Sequence, residues 1–235
     1  MLNSFHKQTY RWIQNLFLFF SFFSSFYTCT TIGFHRESVR NNIPFGSERT
    51  FQVCTIIESG IEKEEVLDLF RYWNEELKLY SLQANFVNYG TMERPGFFGS
   101  DILNYIANLP MHQDCDRILY LKGRTNGDLV FEFFTLGLFV GTGLKLEVQG
   151  AVESRTQTRG YIKAKYISLL QVLFTSPKST LVHEGYHLLG CGHQLFMDDC
   201  YEKIRDVKSL SSEQNIEKNF FPNITASGKR IRTRN

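Results

Sequence analysis

The sequence predicts an α/β fold, and two observations carry that expectation. Short runs rich in β-branched and aromatic residues alternate with amphipathic segments of helical period, the order that builds a sheet with crossover helices. The 235 residues, 43% hydrophobic and 15% aromatic, suffice for one core and are short for two. Lys and Arg total 26 against 24 acidic residues, and a net charge of +2 gives no reason to expect a nucleic-acid surface or an acidic substrate.

The first residues stand apart. Lys7 and Arg11 precede an uncharged stretch whose apolar centre, Leu16 to Phe26, is almost all Phe, Leu and Ser. A membrane-spanning helix needs about 20 apolar residues; this centre is shorter and is interrupted by Ser21, Ser24 and Ser25. Residues 1–33 therefore read as a cleaved signal peptide, with an uncleaved membrane anchor second and a lipid-anchored Cys29 third, and all three imply a secreted or outward-facing protein. Setting Cys29 aside leaves Cys54, Cys115, Cys191 and Cys200, an even number suited to an oxidising compartment. Four cysteines pair in three ways. A Cys191–Cys200 bridge would brace the loop around His193 and leave Cys54 with Cys115 to tie two strands.

Residues 34–50 are polar and turn-rich and read as a linker, and the domain, 51–220, opens with a strand at Phe51–Ile57. Ser59 with Glu62 reads as a capping box, and Val66, Phe70, Trp73 and Leu77 share one helical face, which predicts a long helix over 61–80. A second strand follows at Leu82–Tyr89, a short helix at Ser100–Asn108 and a buried strand at Arg117–Leu121. Asn126-Gly127 predicts a tight turn, and the Phe-rich run 129–140 is apolar enough to be buried on both faces. From 160 to 166, Ile162, Ala164 and Tyr166 alternate with Tyr161, Lys163 and Lys165, the pattern of a strand in a half-solvated sheet. Ser176 as N-cap and Pro177 at the first helical position predict a helix over 177–189. A last helix near 200–218 and a loose basic tail, 221–235, complete the chain; the tail holds a glycosylation-type triplet at Asn223-Ile224-Thr225.

The chemistry sits between 183 and 193, where three of the six histidines fall inside eleven residues: His183-Glu184-Gly185-Tyr186-His187-Leu188-Leu189-Gly190-Cys191-Gly192-His193. Positions four apart share a helix face, so His183 and His187 can aim two imidazoles at one ion. A continued helix would carry residue 193 off that face, and Gly190 offers the left-handed turn that brings His193 back. Three imidazoles leave a fourth position open, the arrangement of a catalytic zinc. Glu184, beside the first ligand, is then the general base.

These residues resemble the metzincin clan of zinc metallopeptidases, whose signature is His-Glu-x-x-His-x-x-Gly-x-x-His followed by a methionine-containing turn. The resemblance implies a twisted, mixed, mostly parallel sheet with a long N-terminal helix, an active-site helix and a small C-terminal subdomain. It implies one zinc ion, polypeptide substrates, and membrane contact only through an N-terminal anchor; a monomer is expected. Met197 is the sole methionine after His193, nearer to it than in most of the clan, and reads equally as core or as that turn. The subgroup stays open between archaemetzincin-like and matrixin-like: the cysteine flanking the methionine is similar to archaemetzincins, whose downstream cysteine pair is absent. Outside the signature and the element order, about two thirds of the chain carries no resemblance. A chance match at five fixed positions occurs in roughly one chain in ten thousand. The alternative function is a non-catalytic, zinc-stabilised binding domain at the cell surface. His6, His35 and His112 lack ligand spacing and read as surface residues, and Asp198 and Asp199 as solvated loop acids.

Overall fold

The computed structural model describes residues 32–111, 115–131, 133–134, 149–165 and 176–213. Residues 1–31 with His6 and Cys29, which include nearly all of the expected signal segment, His112, most of the Phe-rich run, Tyr166 and the tail with Asn223 lie outside the described residues. Among the described residues, five strands form one sheet: β1 (Arg49–Glu58), β2 (Leu82–Met92), β3 (Arg117–Lys122), β4 (Gly150–Val152) and β5 (Arg159–Lys163), in the order β2-β1-β3-β5-β4. β1 runs parallel to β2 and β3, and β3 to β5; only β4, on the edge, is antiparallel. The described helices include α1 (Glu37–Arg40), α2 (Lys63–Leu77, extended by a 3-10 turn to Tyr80), α3 (Gly99–Ala107), α4 (Pro177–Leu188) and α5 (Asp198–Glu213). The expected mixed, mostly parallel α/β architecture is what forms.

Strand alternation sorts the core into two layers. Phe51, Val53 and Ile57 of β1, Leu119 and Leu121 of β3 and Ile162 of β5 join the layer built by α2, α4 and α5. Cys54, Ile56, Ile118, Tyr120 and Tyr161 join the layer that holds Ile102 and Ile106 of α3. A sheet covered on both faces has no solvated side. That corrects the half-solvated strand expected at 160–166: all five residues of β5 are buried, because β5 lies inside the sheet with α4 on one face and α3 on the other.

α2 buries Val66, Phe70, Trp73 and Leu77, the face read from the sequence, together with Leu69. Its start differs from the expected one. Ser59 and Gly60 stay in a turn closed by Ile61 N–H donating to Glu58 C=O, and the box is made one turn later, where Glu65 Oε2 accepts from Glu62 N–H at 2.8 Å. Asn126-Gly127 forms no hairpin turn either. Residues 126–131 are helical because Thr125 and Asp128 close a reciprocal cap: Asp128 Oδ2 accepts from Thr125 N–H at 2.8 Å and Thr125 Oγ1 from Asp128 N–H at 3.3 Å.

Both disulfides pair as the spacing favoured, Cys54–Cys115 between β1 and the approach to β3, and Cys191–Cys200 across the segment after α4. The stretch 34–50 is attached along its length. Phe34 bridges Phe196, and Val39, Ile43 and Phe45 pack against the core beside buried Ile32. Among the described residues, no helix is long and apolar enough to cross a membrane.

Candidate metal centre

Ser176 and Ser179 cap α4 reciprocally: Ser179 N–H donates to Ser176 Oγ at 3.0 Å and Ser176 N–H to Ser179 Oγ at 2.9 Å, with Pro177 in the first turn. The helix lies against α2 through Gly185, where a Cβ would collide with the Trp73 indole. This close approach fixes the rotation of α4 about its axis, and with it the direction of His183 and His187.

The helix ends as the sequence reading requires. Gly190 has φ +90°. Gly190 N–H donates to His187 C=O at 2.9 Å and Cys191 N–H to Tyr186 C=O at 3.0 Å, the paired bonds of a Schellman cap. The last carbonyls also meet cations, as the helix dipole favours: Arg117 Nε donates to Leu188 C=O at 2.5 Å and Lys203 Nζ to Gly190 C=O at 2.5 Å.

This turn returns His193 to the helix. Its ring centroid lies 5.0 Å from that of His183 and 4.6 Å from that of His187, and His183 and His187 are 5.1 Å apart. Each imidazole offers one nitrogen to a group whose members all lie within 4.8 Å of one another. His187 Nε2 and His193 Nε2 are 3.2 Å apart, against about 3.3 Å for two nitrogens on a tetrahedral zinc with bonds of about 2.05 Å. His187 Nδ1 is 2.8 Å from the Cys191 carbonyl, which can only accept, so Nδ1 carries the proton and Nε2 keeps its lone pair. Burial lowers the His187 pKa, and neighbouring His193 lowers it further against the bond to Cys191, which favours the neutral, ligating form. The donor set therefore suits zinc.

Glu184 is 6% exposed, and burial pushes its carboxyl up to about 7. Gly150 of β4 makes room for it: a Cβ there would lie 2.7 Å from Glu184 Cγ. Met197 is buried in the layer that also holds Tyr186, Leu188 and Tyr201.

Other neighbours carry weaker signals in the sequence. Tyr186 donates to Glu76 and lies 2.7 Å from the Tyr80 hydroxyl. Glu76 also pairs with His35 at 3.3 Å, and His35 Nδ1 meets the Tyr201 hydroxyl at 2.8 Å. His35 is thus part of a polar network behind α4 rather than the surface residue expected. Asp198 and Asp199 open α5 instead of lying in a loop; Asp198 pairs with Arg36 at 2.7 Å and Asp199 accepts from Gln194 Nε2 at 2.7 Å. Arg117 was legible as a charge at the head of an apolar run, whereas Gly150 is marked by no motif.

No family model and no curated protein matches the chain. Among solved structures, the chain is similar to archaemetzincin from Methanopyrus kandleri, at 14% identity over 70% of this chain and 97% of that one, with a TM-score of 0.41.

Proposed function

We propose that this chain is an exported zinc endopeptidase in which His183, His187 and His193 hold one zinc ion and Glu184 is the general base. The observation that carries the reading is the convergence of three imidazole donors, two on α4 and one from the loop after it, with a buried carboxylate next to the first of them on α4. Zinc held there would polarise a peptide carbonyl and acidify a water molecule. The chain's own residues supply the rest. Cys191 C=O fixes the His187 tautomer, Gly190 and the Cys191–Cys200 bridge hold the loop that carries His193, and Gly150 leaves the Glu184 side chain room to reach the reacting water. Glu184 takes a proton from the attacking water and passes it to the leaving amine.

Two disulfides support an oxidising compartment, in keeping with a removable N-terminal segment, whose end we set before Ile32 instead of at residue 33 because Ile32 is buried in the core. Substrates are polypeptides and the unit acts as a single copy, the catalytic part spanning 51–220 and the tail 221–235 taking no part. The test is reconstitution. Chain stripped with a chelator should cleave no casein, regain cleavage at one equivalent of zinc, and fail to regain it as His187→Ala; equal cleavage by stripped and zinc-loaded chain would exclude the reading.

A further inference from the structure

We infer that the N-terminal strap, Ile32–Arg36, positions His193, and that the fit turns on Gly33; the inference rests on the zinc reading above. His193 belongs to no helix or strand, and Gly192 beside it has open space around its Cβ position. The histidine is held on one side by the Gly190 cap and the Cys191–Cys200 bridge, and on the other by whatever holds the chain just after it. That partner is the strap. Gln194 N–H donates to Ile32 C=O at 3.2 Å, Phe34 N–H to Leu195 C=O at 2.9 Å and Met197 N–H to Phe34 C=O at 3.1 Å, a short parallel ladder closed by the Phe34–Phe196 bridge.

The strap is itself anchored to the elements behind the site. Ile32 is 5% exposed and sits in the core layer of α2, α4 and α5. His35 bonds the Tyr201 hydroxyl and pairs with Glu76. Arg36 pairs with Asp198 at 2.7 Å, and its guanidinium lies 5.3 Å from the centre of the Phe196 ring. The ladder thus ties the residues following His193 to both α2 and α5.

Gly33 makes the ladder possible. A Cβ at this position would lie 2.5 Å from the Gln194 carbonyl oxygen, well inside the 3.0 Å that a Cβ carbon essentially never crosses. Gln194 follows His193 directly and its carbonyl cannot swing aside as a flexible side chain would. Any side chain at position 33 must push the main chain next to the third imidazole.

The test compares zinc affinity, by chelator competition, and the cobalt absorption spectrum for the full chain as wild type, Gly33→Val, His193→Ala and the double variant. Gly33→Val should bind zinc about tenfold or more weakly, with a cobalt spectrum shifted towards that of His193→Ala, and should add nothing in the His193→Ala background. Wild-type affinity in Gly33→Val, or a loss that adds in full to that of His193→Ala, would overturn the inference. If Gly33→Val does not fold, Phe34→Pro, which removes one ladder donor, takes its place with the same criteria. A wild type that takes no zinc would sink the zinc reading and the strap with it; a wild type that binds while both strap variants bind equally well would sink the strap alone.

Discussion

Glu184 and Gly190 set opposite demands on one short segment. Glu184 is buried against β4 so that its carboxyl is raised to about 7, while Gly190 must take a left-handed backbone to end the helix one turn later. Glu184→Gln should keep zinc and lose cleavage by about a hundredfold or more, read as kcat/KM on a labelled peptide. Gly190→Ala should cost about 1–2 kcal/mol in urea unfolding, since an L side chain is strained at φ +90°. His183, Glu184, His187 and Gly190 were legible in the sequence because helix periodicity and cap chemistry act over a few residues. Gly150 and Gly33 were not, because the atoms that forbid a side chain there, on Glu184 and Gln194, are brought close only by the tertiary fold.

α2, α3 and α4 were legible to within a few residues, since each buries a periodic face or carries an N-cap. Element exposure was harder to read: β5 alternates like a surface strand, yet it is covered twice, and nothing local in Tyr161-Ile162-Lys163 reveals that α3 lies over it. The same applies to 34–50, whose polar composition hides its attachment to the segment after His193. Two expectations belong at this scale. Cys191→Ser with Cys200→Ser should weaken zinc binding by about tenfold or more while leaving the α-helical circular dichroism unchanged, because the bridge holds both the carbonyl that orients His187 and the loop that carries His193. The exported chain should also begin before Ile32, because removal of Ile32 would take a buried anchor from the strap; N-terminal sequencing of the secreted protein checks this, and a start after Gly33 would contradict it.

Across the molecule, the ends of β1 and β3 share a buried charge cluster that no local pattern announced. Arg94 pairs with Glu58 at 2.8 Å and with Asp128 at 2.6 Å, and Lys122 with Asp128 at 3.1 Å. Burial alone would raise the Asp128 carboxyl, but its bonds from Arg94, Thr125 and Lys122 outweigh that and hold it well below the ordinary 3.8. A carboxyl depressed on folding stabilises the fold above its unfolded pKa and loses that contribution as pH falls through the folded one. Wild type should therefore lose stability progressively below pH 3.8, and Asp128→Asn should flatten that part of the profile. The variant should also cost about 3 kcal/mol at neutral pH, because two buried cations lose a partner. Urea titrations at several pH values check both.

The chain's central claim is tested most directly by measuring zinc content and casein cleavage together on wild type and Glu184→Ala. The expected result is about one zinc in each protein, cleavage by wild type, and none by Glu184→Ala. Zinc bound by wild type with no cleavage of any unfolded protein would contradict the peptidase and leave the three histidines as a stabilising site.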